Sequence, residues 1–132
     1  EIEMRMIFLT VIAAIAVSGC VTETQKQKFY AAQRPATPAE RAAILDYAKT
    51  FYFDPYSMRD VSLSDAVDPK KENTVAFCLR ANAKNRMGAY TGLKTTALLM
   101  QNGKVTKAEE ESFMCADPRM TYTPFRDLED LT

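Results

Sequence analysis

The sequence predicts an α+β fold in which one N-terminal helix packs on a three- to four-stranded, mostly antiparallel sheet. Three observations favour this fold. A capping-box sequence opens a segment of helical period at Thr37. From Met58 onward the apolar residues instead alternate with polar ones, as they do in half-buried strands. Asn102 and Gly103 then stand between two apolar runs, which is the strongest short-range signal of a β-hairpin.

The predicted helix begins at Thr37, has proline at its first helical position, and runs to about Phe51. Its apolar residues recur at i, i+3, i+4 and i+7, so one face should pack on the sheet. These residues are Ile44, Tyr47, Ala48 and Phe51. The helix should stop before Pro55, because the residue preceding a proline disfavours helical geometry. We expect the aromatic residues around this end to form core and lid rather than a ligand cage: Phe51, Tyr52, Phe53 and Tyr56.

Residues of alternating polarity predict the strands that follow. The predicted strands are Met58–Ala66, Thr74–Ala83, Leu93–Gln101 and Lys104–Ala108. In the second of these, Phe77 lies on one face and Cys78 on the other, a pattern typical of a strand with one face in water. The tail from Glu109 is expected to be irregular and held by a few apolar anchors such as Tyr122 and Phe125.

Composition excludes several classes of function. The 132 residues include 17 basic and 17 acidic side chains and no histidine. Without histidine there is no imidazole zinc site, no Ser/His/Asp triad and no Cys/His dyad. A net charge of zero gives no electrostatic reason to expect a nucleic-acid partner. We therefore predict no catalytic residues, no metal site and no cofactor.

An apolar segment near the N-terminus predicts export. Met6–Val17 follows a single basic residue, Arg5, and its 12 residues are too few to cross a bilayer as a helix, which takes about 20. This length is typical of the apolar region of a signal peptide. Glu1–Glu3 place two acids where a signal peptide normally has bases, so we expect them to lie upstream of the true start.

The end of this segment, Val17-Ser18-Gly19-Cys20, resembles the lipobox of bacterial prolipoproteins. The resemblance implies that residues 1–19 are a removable signal peptide, that the Cys20 thiol receives a diacylglycerol and that the new terminal amine is acylated. Two or three acyl chains anchor a protein stably. Because residue 21 is valine rather than aspartate, the resemblance also implies placement in the outer membrane. The alternative is that Cys20 merely ends an ordinary signal or a buried apolar segment.

Lipidation of Cys20 would leave two cysteines, Cys78 and Cys115. In an oxidising compartment they should form one disulfide, worth about 3–4 kcal/mol in the loop-entropy model. If the helix covers the Phe77 face, this disulfide must bring the C-terminal segment across the opposite face or around an edge. The alternative is a pair of separate buried thiols. A catalytic cysteine is not expected, because no histidine is present to activate it.

Between the lipid and the domain, residues 20–35 are expected to form a flexible tether with at most a short helix. This stretch is polar, and its exceptions are Phe29 and Tyr30, which either dock on the domain or rest at the membrane interface. Residues 36–132 should then form one small globular domain.

A candidate interaction surface surrounds the glycine-bearing connection between the second and third strands. It comprises Arg80, Asn82, Lys84, Arg86, Tyr90 and Lys94. Arginine and tyrosine are enriched at protein interfaces. The alternative is a solvated hairpin whose charges merely discourage aggregation. The spacing of four acids fits neither a calcium site nor a catalytic carboxylate pair: Asp54, Asp60, Asp65 and Asp68.

These observations predict a non-catalytic, outer-membrane-anchored lipoprotein that faces the periplasm and acts as an envelope interaction or structural module. Its expected partners are the membrane, through the lipid, and another envelope protein or the cell wall. A different hypothesis is a periplasmic lipoprotein inhibitor of a foreign hydrolase such as lysozyme. A small carboxylate-based hydrolase is the least favoured of the three, since a domain of this size has little volume for a cleft.

Overall fold

A computed structural model describes residues 19–131. Residues 1–18 of the predicted signal peptide, which include Glu1–Glu3 and the lipobox residues Val17 and Ser18, lie outside the described residues. The helices are α1 Glu23–Ala31, α2 Pro38–Phe51, α3 Phe113–Ala116 and α4 Arg126–Glu129. The strands are β1 Asp54–Ser64, β2 Thr74–Lys84, β3 Tyr90–Gln101, β4 Lys104–Glu110 and β5 Tyr122–Pro124. Within residues 19–131 no helix combines the length and apolar composition needed to cross a bilayer.

The strands form one sheet in the order β4-β3-β2-β1-β5, and every neighbouring pair is antiparallel. The α+β class is therefore confirmed. The prediction of three to four strands is wrong, because the sheet has a fifth, short strand, β5. Its three residues are too few to show alternation, and it ends in Pro124. Proline is tolerated there because β5 is an edge strand, where one side of the backbone needs no partner.

Strand β1 starts at Asp54, four residues before the predicted start at Met58, and ends at Ser64 rather than at Ala66. Its pairing with β2 shifts register twice, once on each side of Arg59. Asp60 within it has a positive φ of 53°. Each irregularity moves the following side chains off the two-residue period, so alternation alone could not locate the strand.

Helix α2 covers one face of the sheet, but a second N-terminal helix, α1, packs on the other face, so the prediction of a single packed helix is wrong. The Thr37 hydroxyl accepts a hydrogen bond from the Glu40 N–H at 3.2 Å, and the Glu40 carboxylate accepts one from the Thr37 N–H at 2.8 Å. This reciprocal capping satisfies two N–H groups that the first turn leaves without helical partners. The helix buries Ile44 and Ala48 fully and contacts β1, β4 and α4. The main core, which includes Phe77, lies between α2 and the sheet.

The opposite face of the sheet is covered as well, so the prediction of one wet face is wrong for the middle of β2. Ala76 and Cys78 are buried there beneath Tyr30 of α1 and Met120 of the C-terminal segment. Cys78 forms the predicted disulfide with Cys115. The C-terminal segment thus crosses the face opposite Phe77, which is one of the two routes that the sequence left open.

Residues predicted to belong to a flexible tether form helix α1, which is docked on the domain. Thr22 and Gln25 form a second capping box, with hydrogen bonds of 3.0 and 3.2 Å. Tyr30 is buried, and its hydroxyl donates to the Met114 carbonyl at 3.4 Å. The Gln33 side chain donates to the Arg119 carbonyl and accepts from the Thr121 N–H. Free chain between Cys20 and the folded domain is therefore confined to a few residues.

Arg119 ties α1 to the C-terminal segment. Its guanidinium stacks on the Tyr30 ring at 4.7 Å, pairs with the Glu23 carboxylate at 2.9 Å and with the Asp117 carboxylate at 2.7 Å. The hydrogen bonds from the Arg119 side chain and backbone lower the pKa of Asp117 to about 2. Because the ionised form of Asp117 is the one that is bonded, the pairing favours the folded state only while Asp117 is charged.

We expect acid to weaken the Arg119–Asp117 ion pair in a defined range of pH. The pKa of Asp117 is lower in the folded chain than in the unfolded chain, where it lies near 4. Its stabilisation is therefore complete above about pH 4 and is lost as the pH falls towards 2. In urea denaturation across this range, Asp117→Asn should flatten the loss of stability with acid. Asp46→Asn, which alters an exposed carboxylate of α2, should not, and equal slopes for both variants would contradict the assignment.

Candidate functional site

The predicted interaction surface lies at the end of the β2–β3 hairpin. The connecting loop is held by its own hydrogen bonds: the Asn85 carboxamide oxygen accepts from the Met87 N–H at 2.9 Å and from the Ala89 N–H at 3.1 Å. Gly88 adopts φ +76°, a conformation that glycine reaches without steric cost. This ordered loop leaves the Met87 side chain 91% exposed at its tip.

The six predicted surface residues do not share one face of the sheet. Side chains alternate along a strand, so Arg80, Asn82 and Lys84 lie on the face opposite Phe77. Lys94 pairs with Ala81, whose side chain belongs to the core under α2. Lys94 therefore points to the α2 side, and the structure does not bring it together with Arg80, Asn82 and Lys84.

Asn82 has a structural role within this surface. Its side-chain oxygen accepts a hydrogen bond from the Gly92 N–H at 3.1 Å. Gly92 has φ +93° and lies next to the register shift between β2 and β3. Asn82 therefore stabilises the irregular start of β3, where Tyr90 stands.

The other predicted residues meet aromatic rings. The Tyr90 ring has the Arg59 guanidinium at 4.1 Å and the Lys84 ammonium at 5.4 Å. Its hydroxyl donates to the Ser57 carbonyl at 2.8 Å, which fixes the ring on β1. Such cation–π contacts contribute about 0.5–1 kcal/mol each at exposed sites. They also hold the cations in place before any partner arrives.

Two more pairs extend this arrangement. The Arg80 guanidinium lies 3.8 Å from the centre of the Tyr122 ring, and that of Arg86 lies 5.3 Å from the Phe53 ring. Burial raises the pKa of Tyr122, while the charge of Arg80 opposes the rise. We name the whole set the cation–aromatic face. It comprises Arg59, Arg80, Lys84, Arg86, Phe53, Tyr90 and Tyr122.

The cations of the cation–aromatic face form no close ion pair within residues 19–131, although Asp54 lies across from Lys84 on the neighbouring strand. Among the ion pairs of residues 19–131, none joins Arg59, Arg80, Lys84 or Arg86 to a carboxylate. Other arginines of the domain are paired: Arg34 with Glu40 and Arg119 with Asp117. The four cations thus remain available to an external anion while their side chains rest on rings.

Sequence reasoning missed three members of the cation–aromatic face: Arg59, Phe53 and Tyr122. Arg59 belongs to the face only because its register places it opposite Asn82, and the register shifts of β1 conceal this. Phe53 and Tyr56 are 59% and 61% exposed, so the aromatic group after α2 is only partly core and lid. Tyr52 does belong to the interior, where burial raises its pKa to about 12.

The three cysteines differ in state. Cys78 and Cys115 are buried and bonded to each other, whereas Cys20 is exposed and outside any disulfide. In the part of the chain that the structure describes, no group of three or more acidic or cysteine side chains is placed to hold a metal ion. Asp68, one of the four aspartates whose spacing was compared with a calcium site, accepts hydrogen bonds from the backbone N–H and the side-chain ammonium of Lys70.

Comparison of the chain with models of protein families, with curated proteins and with solved structures finds no significant match.

Proposed function

We propose that the protein is a non-catalytic lipoprotein, anchored in the outer membrane through Cys20, whose periplasmic domain binds an acidic partner through the cation–aromatic face. The observation that carries the proposal is the set of four cations held against aromatic rings with no carboxylate of their own. The partner is another envelope protein or an acidic component of the cell wall. Arginine and tyrosine are the side chains that most often anchor such interfaces.

The positions of Cys20 and of the β2–β3 loop, at opposite ends of the domain, support this proposal. Cys20 is exposed just before α1, which is docked beside the start of β2. Met87 and the loop cations lie beyond the other end of β2. A strand of this length spans about 35 Å at its usual rise per residue. A lipid on Cys20 would therefore leave the loop end of the domain far from its attachment point and free to meet a partner.

Site-specific crosslinking in cells tests the proposal. A photoreactive residue placed at Lys84 or Met87 should yield one or a few defined products. The same residue placed at Glu109, on edge strand β4, should not yield them. Arg80→Glu should lower the yield about tenfold, the effect of about 1.4 kcal/mol, because the reversed charge repels an acidic partner.

Lys94→Glu is the matched control, since it makes the same change of charge on the other side of the sheet. It should leave the crosslinks unchanged. Identical products from Glu109, or an unchanged yield in Arg80→Glu, would contradict the proposal.

The exposed β2–β3 loop favours one second candidate, an inhibitor of a foreign hydrolase such as lysozyme. A rigid, protruding tip that carries Met87 and Arg86 has the shape of an element that enters a cleft. The disulfide closes a longer loop, from Cys78 to Cys115, that contains this connection, and it joins β2 to the C-terminal segment rather than pinning the tip itself. Unlipidated Cys20→Ser protein should inhibit at least one of a panel of lysozymes if this candidate holds, and Met87→Asp should abolish the inhibition.

A further inference from the structure

A second exposed apolar region lies beside Cys20, at the end of the domain opposite the β2–β3 loop. It is a groove of about 780 Å³ between the start of α1, the β1–β2 turn and α3. Its apolar lining includes Val21, Phe29 and Phe113. Phe113 is 94% exposed and Val21 is 63% exposed. Contiguous apolar surface of this kind usually marks a binding site.

The groove is held rigidly although its apolar side chains face water. Phe113 opens helix α3, and Cys115 of the same helix is bonded to β2. Tyr122 donates a hydrogen bond to the Cys115 carbonyl at 2.9 Å, which fixes the end of this helix. Phe29 stacks edge-on against the buried Tyr30 at 5.1 Å. The exposed Phe113 ring therefore projects from a helix that is fixed to the sheet.

Cations border the groove. Lys26, Lys28 and Lys70 line it together with Asp68 and Asp117. Asp117 is paired with Arg119, and two of the three lysines have acidic partners, Lys70 in Asp68 and Lys26 in Glu23. Among the ion pairs of the described part of the chain, none involves Lys28. An apolar centre with a cationic border matches the interface of a bilayer, where acyl chains lie beneath anionic headgroups.

We propose that this groove is a membrane-docking face, in which Phe113 and Val21 enter the interface of a phospholipid bilayer and Lys28 meets a headgroup phosphate. The inference rests on the proposed lipidation of Cys20. Val21 follows Cys20 directly, so an acyl chain on that thiol would bring the groove to the membrane at high effective concentration. Weak docking then suffices to orient the domain, with the cation–aromatic face directed away from the surface.

The chain contains no tryptophan, so an introduced one is a unique fluorescent reporter. Phe113→Trp places it in the groove, and Met87→Trp places it at the opposite end as the matched control. Both replaced side chains are more than nine-tenths exposed, so both variants should keep the fold. The lipidated proteins are reconstituted into vesicles of phosphatidylethanolamine and phosphatidylglycerol, with or without bromine on the acyl chains.

Bromolipid should quench the F113W emission at least twofold and leave the M87W emission unchanged, and Lys28→Glu should reduce the quenching of F113W. Equal emission of F113W in both kinds of vesicle, with the protein still bound to them, would overturn the docking and leave the anchor intact. A protein that does not remain with the vesicles would overturn both. A blue-shifted F113W emission in vesicle-free Cys20→Ser protein would overturn the docking too, because another chain segment or a second copy would then fill the groove.

Discussion

Replacing Cys78 and Cys115 together by alanine is expected to lower the free energy of unfolding by about 3–4 kcal/mol. The disulfide joins residues 37 apart in sequence, and its loss frees a long loop in the unfolded chain. That cost is a large share of the total stability of a small domain, which is about 5–15 kcal/mol. Urea denaturation of the oxidised protein and of the double variant measures the difference.

The same experiment has an internal control. Cys20→Ala changes an exposed thiol that takes no part in the bond, so it should leave the urea midpoint unchanged. Exposure of the oxidised protein to a strong thiol reductant should reproduce the loss seen in the double variant. A double variant within about 0.5 kcal/mol of the parent, the usual range for a surface substitution, would contradict the structural role of the disulfide.

Phe125→Ala is expected to cost about 3–5 kcal/mol, the range for a buried phenylalanine. Phe125 lies between β5 and α4, is fully buried, and belongs to the core under α2. The Arg41 guanidinium lies 4.8 Å from the Phe125 ring, and the Phe125 backbone N–H donates to the Val61 carbonyl at 2.9 Å. Truncation keeps this backbone hydrogen bond but removes the contacts of the ring with the core and with Arg41 of α2, and it leaves a cavity.

Phe113→Ala is the matched control, because it removes the same phenyl group from an exposed position. Its effect on the urea midpoint should lie within the range of an ordinary surface substitution, about 0.5 kcal/mol. If both variants lost the same stability, or if Phe125→Ala lost none, the C-terminal segment would not be part of the core.

Elements with a clear period or a clear boundary signal could be predicted from the sequence. Helix α2 has both, since its capping box sets the start and its apolar stripe sets the buried face. Strand β2 alternates without interruption from Thr74, and the Asn102–Gly103 turn joins β3 to β4. In these segments local preference and tertiary packing agree.

The elements that could not be predicted, α1 and β5, have no regular spacing of apolar residues. Helix α1 is polar along most of its length, and what holds it is distant in sequence: the ring of Tyr30 against the C-terminal segment and the Arg119 pair with Glu23. The Thr22–Gln25 capping box was the one local signal of its start. Strand β5 is too short to alternate, and its pairing with β1 decides its conformation.

The candidate site shows the same limit. Adjacency along the chain grouped Arg80, Lys84 and Tyr90, and the structure places these three on one hairpin and one face of the sheet. It also grouped Lys94 with them, but the cross-strand pairing of Lys94 with Ala81 places it on the other side. Arg59 could not be found at all, since its place in the face depends on the bulged register of β1. Sequence order therefore indicates where an interaction surface lies, whereas the pairing register of the strands determines which residues belong to it.

The intact mass of the protein, purified in detergent from the membranes of cells that express it naturally, tests the proposed anchor most directly. The account predicts a polypeptide that begins at Cys20 and carries a diacylglycerol thioether there, with an acyl group on the amine. Alkylation before reduction should label neither Cys78 nor Cys115. A chain without an acyl adduct at Cys20, or one with free thiols at the other two cysteines, would contradict it.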